Sequence, residues 1–354
     1  MKKIGIATFC KVNNYGALLQ AYALSQYLKK ENEVEFLNIR FNSRAKTSQK
    51  ETMKKDTIFQ KIIGKIKKIK FEQFRRKNLI ISNEVIHGDK DSKEIRDKYD
   101  YYIVGSDQVW NTDITNDTRA FFFDFIKTKP KIAYAASYGK ENISEIERKW
   151  SEKYLKNFKT VSVREKQSAI YLRQELNINA KVVCDPVFLL NKDEWINKNN
   201  LKNKNKTYIL LFYMESNSTL KSIIENIKYK YNYPIIAIKG GIQELKNIKH
   251  IEGMGPKDFL SIIYNAKLII TNSFHALAFS IIFNKKVIAF EHSKWNLRIS
   301  NLLELTNNNE KIIRLKDNVN EKLLNEKTIN GEIAYNKLIP LIKESKQFLK
   351  ESIN

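Results

Sequence analysis

The chain has 354 residues, 42% of them apolar, enough to bury the cores of two domains. Its 63 lysines and arginines against 39 acidic residues leave a formal charge of +24, which suits anionic partners: nucleic acid, an anionic membrane or phosphorylated substrates. No arginine-rich tail or nucleic-acid motif accompanies that charge, no run approaches the ~20 apolar residues of a membrane span, and two distant cysteines, Cys10 and Cys184, propose neither a disulfide framework nor a metal site. The opening MKKIGIATF is too short in apolar residues for a signal peptide, so the expectation is a cytoplasmic protein with reduced thiols.

In chain order, Lys3 to Phe9 reads as a buried strand, Asn13-Asn14-Tyr15-Gly16 as a turn, and Ala17 to Leu28 as a helix. A glycine-bearing turn at the carboxyl end of a first parallel strand lets backbone approach a ligand, and the helix start behind it favours negative charge. Asn14, Tyr15, Gly16 and Gln20 are the candidate cleft-lining residues there; a turn held together by its own asparagines is the alternative. GxGxxG is absent, so there is no dinucleotide fingerprint. Glu33 to Ile39 is a second strand and Arg40 to Asp56 a polar loop or insertion. From Ile58 to Lys77, Ile58, Ile62, Ile66 and Ile69 recur at helical spacing among lysines. Such a basic amphipathic helix either packs on its own sheet with a solvated basic face or lies against anionic lipid.

Tyr99 to Val104 is the next strand, and Gly105 to Asn111 follows at its carboxyl end, offering an accessible Gly105 backbone with Ser106, Asp107 and Gln108 as hydrogen-bonding side chains. Asp107 can take a proton from a hydroxyl, or can equally close an Asx turn. Phe121 to Ile126 is core, and Lys131 to Ser137 is a strand that brings Ser137 to its end. After a helix to Lys156, the strand Val161 to Val163 runs into Arg164, whose planar guanidinium fits phosphate or carboxylate unless Glu165 pairs with it. Lys181 to Asp185 is a strand stopped by the Pro186 turn. The polar stretch 191–206 reads as an interdomain linker between domains at 1–190 and 207–354. Tyr208 to Met214 and Ile235 to Ile238 are strands, the latter followed by a Gly240-Gly241 turn, and the tail beyond Asn307 is mainly helical.

The most informative stretch is Gly255 to Phe290: helix from Pro256 to Ala266, strand from Lys267 to Thr271, helix from Ala276 to Phe283, strand from Val287 to Phe290. Thr271 to His275 then lies at the carboxyl rim of a parallel sheet, where open α/β proteins bind ligands. Asn272 or Ser273 caps the following helix, which puts His275 in its first turn beside N–H groups without intrahelical partners, a place that favours an anion. His275 is either a structural hydrogen-bonded histidine or an acid serving that site. The architecture expected is two α/β domains of Rossmann type facing a cleft on which rim residues of both halves converge.

In order along the chain, NNYGALLQAYAL, Gly105 to Asn111, Tyr134 to Gly139, Ser162 to Glu165, Asp185-Pro186 and Asn272 to Ala289 resemble the polysaccharide pyruvyl transferase family over Ile4 to Phe290. The resemblance implies a glycosyltransferase B-like fold and transfer of a pyruvyl group from phosphoenolpyruvate, as co-substrate, to a sugar of a cell-surface polysaccharide or its lipid-linked precursor. It implies no further cofactor and no metal, and the helix from Ile58 to Lys77, in its lipid-facing reading, would bring a cytoplasmic protein to the inner face of the membrane. Arg164, Ser273, Asn272, Gly105 and Ser106 become candidate donor or anion ligands, His275 a candidate acid, Asp107 a candidate base, and Asn14, Tyr15, Gly16, Gln20, Gln108 and Ser137 cleft-lining groups. Two positions depart from the family: Ala17 stands where other members carry an aspartate, and Ser273 where many carry the arginine of Arg-Leu-His. These departures keep open a nucleotide-sugar glycosyltransferase on the same architecture, although no pair of glutamates eight positions apart follows the His275 helix. They also keep open a non-catalytic partner in glycan assembly.

Overall fold

The computed structural model describes residues 1–41, 57–87, 93–116, 118–239, 248–294 and 296–354. Most of the expected loop at 40–56, and the expected Gly240-Gly241 turn, lie outside them. In the first half, strands β1 (Lys2–Ala7), β2 (Asn32–Arg40), β3 (Ile81–His87), β4 (Tyr101–Val104), β5 (Lys131–Ala136), β6 (Thr160–Val163) and β7 (Ala180–Val182) alternate with helices. These are α1 (Tyr15–Leu28), α2 (Ile58–Asn78), α3 (Lys93–Arg96), α4 (Thr112–Thr115), α5 (Glu145–Tyr154) and α6 (Lys166–Leu176). The second half begins with α7 (Lys192–Asn199) and contains β8 (Ile209–Tyr213), α8 (Ser218–Lys230), β9 (Ile235–Lys239), β10 (Lys249–His250), α9 (Pro256–Asn265) and β11 (Leu268–Thr271). It continues through α10 (Phe274–Ile282), β12 (Lys286–Ala289), α11 (Leu297–Leu305), α12 (Glu321–Lys327), β13 (Ile329–Asn330) and α13 (Gly331–Ile353).

Both sheets are wound the same way. The first has the order β3-β2-β1-β4-β5-β6-β7 with every neighbour parallel, and the second β10-β9-β8-β11-β12-β13, parallel except where β13 turns back on β12. Parallel strands need both faces covered, which is why β4 (YYIV), β8 (ILLFY) and β11 (LIIT) are uninterrupted apolar runs, buried throughout. In each sheet the chain leaves the first strand toward one edge and returns to build the other, so a crevice opens between β1 and β4 and again between β8 and β11.

The chain divides into two compact units, the first made of Met1–Lys61, Glu72–Leu189 and Leu341–Asn354, the second of Ile62–Phe71 and Leu190–Pro340. Two features differ from the sequence expectation. The stretch 191–206 is not wholly a linker: Asn191 and Glu194 form a reciprocal cap that starts α7, and Trp195 is fully buried, its ring edge-on to Phe279 at 4.9 Å. One tryptophan anchors a helix whose other faces are polar, and composition alone could not show that. The tail is also not wholly part of the second domain, for the division falls at Pro340 inside α13. Beyond it, Ser345 Oγ accepts from the Cys184 amide at 2.9 Å, Ser352 Oγ from the Thr160 hydroxyl at 2.8 Å, and Phe348 packs near Tyr134.

Each unit has its own core. In the first, Trp110, Phe121, Phe122, Phe123 and Tyr138 pack as an aromatic cluster beneath the sheet, in keeping with the expected core at Phe121 to Ile126. In the second, the inward residues of β8, β11 and β12 meet Leu220, Ile223 and Ile227 of α8. Cys10 and Cys184 are buried free thiols; burial pushes them up to about 12 and about 11, which keeps both protonated and unreactive. Replacing Trp195 by alanine leaves a void under α7 and is expected to cost about 3–5 kcal/mol, read as a lowered denaturant midpoint.

Candidate functional site

The crevice between β1 and β4 is stitched shut by the chain's own groups. Gln20, fully buried in α1, donates through Nε2 to Thr8 Oγ1 and to the Ala17 carbonyl, both at 2.9 Å, and accepts the Ser106 amide at 3.2 Å. The Thr8 hydroxyl donates to the Ser106 carbonyl at 2.9 Å, and the Ser106 hydroxyl to the Ala135 carbonyl at 2.8 Å. Gly105 is required here: its φ is +113°, and a Cβ would lie 2.2 Å from the Tyr134 carbonyl oxygen. Gln108 lies against Gly139, leaving no space for a side chain there, and accepts from the Asn111 amide. Asn14 caps α1 by accepting the Ala17 amide at 3.1 Å, while Tyr15 and Gly16 are buried in its first turn. Gln20, Ser106 and Gln108, expected to line a cleft or hold an anion, are spent on holding this turn. Ser137 is fully buried at the end of β5, and its hydroxyl has no hydrogen-bond partner among the described residues.

Arg164 also departs from expectation. Its side chain is 3% exposed, with Nε 2.9 Å from Glu165 Oε1 and Nη1 2.7 Å from Asp185 Oδ2, both carboxylates being fully buried. Burial disfavours the charged guanidinium, but Glu165, Asp185 and Asp107 together drive its pKa above the usual arginine value. Much of the charge of a guanidinium facing three carboxylates is already balanced, so Arg164 sits at the centre of a buried ion cluster. Asp107 belongs to the same cluster. It accepts its neighbour Gln108's amide at 2.9 Å, is 7% exposed and has a φ of +73°, so its carboxylate is buried in the turn.

The second unit is built differently at the corresponding place. Phe212, Thr271 and Ala289 are in register across β8, β11 and β12, so the residues just past each of them emerge at one edge of the sheet. After Thr271, Asn272 spans the crevice: its Oδ1 accepts the Met214 amide at 2.8 Å, while its Nδ2 is buried and has no acceptor among the described residues. That bond fixes which end of the amide is the donor. Ser273 is the N-cap of α10 but makes no side-chain cap bond, whereas Asn14, Ser144, Asn191 and Asn217 all cap their helices. Neither Asn272 nor Ser273 therefore caps in the way the sequence suggested. The first amides of α10 keep no intrahelical partner, and His275, 7% exposed, sits in that first turn with Phe274 packed edge-on against its ring at 4.9 Å.

The neighbouring strand ends add groups that sequence reading passed over. Glu215, three residues past Phe212, accepts the Ser293 amide at 2.5 Å and the Ser293 hydroxyl at 2.7 Å. Burial raises its pKa, but the Ser293 bonds together with His292 and Asn217 hold it below the usual carboxylate range, so it is ionised at neutral pH. His292, three residues past Ala289, accepts the Lys294 amide at Nδ1, 3.0 Å, which leaves the hydrogen of the neutral ring on Nε2. Burial pulls its pKa down more than Glu215, whose Oε2 stands 3.6 Å from Nδ1, pulls it up, and Arg298 and Lys294 add to the lowering. The contact is thus not an ion pair. At the end of the neighbouring β10, His250 Nε2 lies 3.1 Å from the Tyr213 hydroxyl. Tracing each strand to the polar residue just past its end would have found Glu215 and His292.

The polysaccharide pyruvyl transferase family model matches residues 14–294, from the cap of α1 to the loop that carries His292. The chain belongs to that family. Membership makes it a transferase of the polysaccharide-modifying kind. No curated protein matches its sequence. Among solved structures it is similar to the UDP-GlcNAc 2-epimerase of Methanocaldococcus jannaschii, at 14% identity over 99% of this chain and 98% of that one, with a TM-score of 0.51. The sucrose-phosphate synthase of Thermosynechococcus elongatus is similar at 11% identity over 99% and 98%, with a TM-score of 0.50. So is the putative UDP-N-acetylglucosamine 2-epimerase of Listeria monocytogenes, at 11% over 98% and 89%, also 0.50. These likenesses establish the glycosyltransferase B-type fold and no more. Among the described residues no group of three histidines, cysteines or carboxylates comes together to hold a metal.

Two outcomes test this geometry. Replacing Arg164 by methionine strands two buried carboxylates and is expected to cost about 3–5 kcal/mol of stability, measured by denaturant unfolding. His292 is neutral in the fold and its folded pKa lies below the 6.5 of an unperturbed ring, so its contribution is complete above pH 6.5 and is lost as pH falls through the lower folded value. The unfolding free energy of His292→Gln is therefore expected to fall less than that of the parent chain as the pH is lowered from 7 into that window.

Proposed function

We propose that this transferase moves a pyruvyl group from phosphoenolpyruvate to a sugar of a cell-surface polysaccharide or its lipid-linked precursor, forming a ketal. The observation that supports this reading best is the set of donors at the β8/β11 crevice: the unpartnered Asn272 Nδ2 and the uncapped amides of α10, with His275 in the same turn. A carboxylate or phosphate placed there would be met by neutral donors and the positive end of a helix, which suits a donor carrying both groups. With Ser273 where many family members have arginine, anion binding in this chain rests on those donors.

In this reading His275 protonates the methylene carbon, leaving an electron-poor centre to which a first sugar hydroxyl adds. The carbon–oxygen bond to phosphate breaks and a second hydroxyl closes the ketal. Of the two hydroxyl protons, one balances that delivered to carbon and the other leaves with phosphate. The ionised Glu215, positioned by Ser293, is the base that takes a hydroxyl proton, in a chain where Ala17 replaces the aspartate of other members. The neutral His292 holds its Nε2 hydrogen ready for the acceptor or the departing phosphate.

Phosphoenolpyruvate is expected to raise the melting temperature by ligand linkage, whereas nucleotide sugars are not. His275→Gln should unfold at nearly the parent temperature while losing about 10²–10⁴ in turnover. Stabilisation by a nucleotide sugar alone would move the chain to glycosyl transfer, and a His275→Gln protein with most of its activity would leave that residue a structural role.

A further inference from the structure

The middle of α2 has two unlike faces. On the inner one Phe71 and Phe74 are buried, Ile63 and one methyl of Ile66 lie beside the Gly253 turn, and Lys70 lies so close to Gly255 that a Cβ there would come within 2.7 Å. Lys70 also pairs with Asp258 at 2.8 Å. On the outer one, Ile58, Ile62, Ile66 and Ile69 recur at helical spacing beside Phe59, exposed by 79%, 50%, 41%, 55% and 70% in that order. The helix thus packs on the protein through one face, while the isoleucines of the sequence stripe stay exposed beside the lysines. At ~1.5 Å per residue the stripe runs for about 17 Å.

We propose that this face is a docking surface for an anionic lipid bilayer. Lys61, Lys65 and Lys68 flank the stripe along one side, and the segment from Ile58 to Phe71 carries five lysines and no acidic residue. An apolar ridge bordered by lysines matches the bilayer interface, where isoleucines enter the acyl boundary and ammonium groups remain among the phosphates. A second copy of the chain is the weaker occupant. Symmetric pairing of this face would set lysines against lysines in a protein of net charge +24. No described helix is long and apolar enough to cross a membrane, so the contact is peripheral. Such docking is independent of the donor and would place the enzyme where lipid-linked glycans are held.

The test is cosedimentation of the full chain, without donor or acceptor, with vesicles of phosphatidylcholine alone or mixed with phosphatidylglycerol. Binding is expected only to the mixed vesicles and is expected to weaken with salt. The K61Q/K65Q/K68Q protein should bind about 100-fold more weakly, and the I62S/I66S/I69S protein at least about tenfold more weakly, both with unchanged circular dichroism because the residues are exposed. Absence of binding, or binding that survives both sets of substitutions, would overturn the proposal. So would a concentration-dependent dimer abolished by the isoleucine changes, or equal binding to polyglutamate by the parent and I62S/I66S/I69S chains, which would leave only a basic patch.

Discussion

A parallel sheet covered on both faces leaves its polar chemistry one place to go, the far ends of its strands. Within β4, β8 and β11 every side chain meets apolar neighbours, and an unpaired polar group there would cost several kcal/mol. Beyond the last ladder bond that constraint lifts. The winding order then opens one crevice in each sheet where successive connections diverge. What each unit does with its crevice decides its role. The first fills it with Gln20, Thr8 and Ser106, each bonded to another, whereas the second leaves the buried Asn272 Nδ2 without an acceptor among the described residues and the start of α10 without a side-chain cap.

The same contrast appears in the charged groups. Arg164 is held by two fully buried carboxylates, an arrangement in which Coulomb attraction has to offset the desolvation of all three ions. Such a cluster fixes the ends of β6 and β7 and has little charge left for a ligand. Glu215 and His292 are only partly buried: partners led by Ser293 keep the first a carboxylate, while burial keeps the second a neutral ring whose hydrogen the Lys294 amide directs to Nε2. Groups held in opposite protonation states at adjoining strand ends are the raw material of acid–base chemistry.

The excess of lysine has a direction as well. Along α2 it borders an exposed apolar stripe on one side, while Lys70 is drawn inward to Asp258. A charge that composition could assign to nucleic acid, lipid or substrate is thus divided by the fold between packing and a surface of defined chemistry.

The sequence by itself determined most of the strands, the α/β character of both halves and the position of Thr271 to His275 at a strand end, because these follow from local periodicity and short-range turn chemistry, while the family was legible in the ordered motifs. It also suggested Glu165 as a partner for Arg164, but only the tertiary structure supplied Asp185 as a second one. Asp185 lies 21 positions from Arg164 in sequence and 2.7 Å away in space, and no local pattern announces that pairing. Trp195 turning a polar stretch into an anchored helix, the last turns of α13 covering the first sheet, and Glu215 meeting Ser293 across 78 positions are likewise non-local. Which face of α2 is exposed was undecidable for the same reason: a helix's periodicity reports that it has two faces, and only its neighbours in space decide which one meets water.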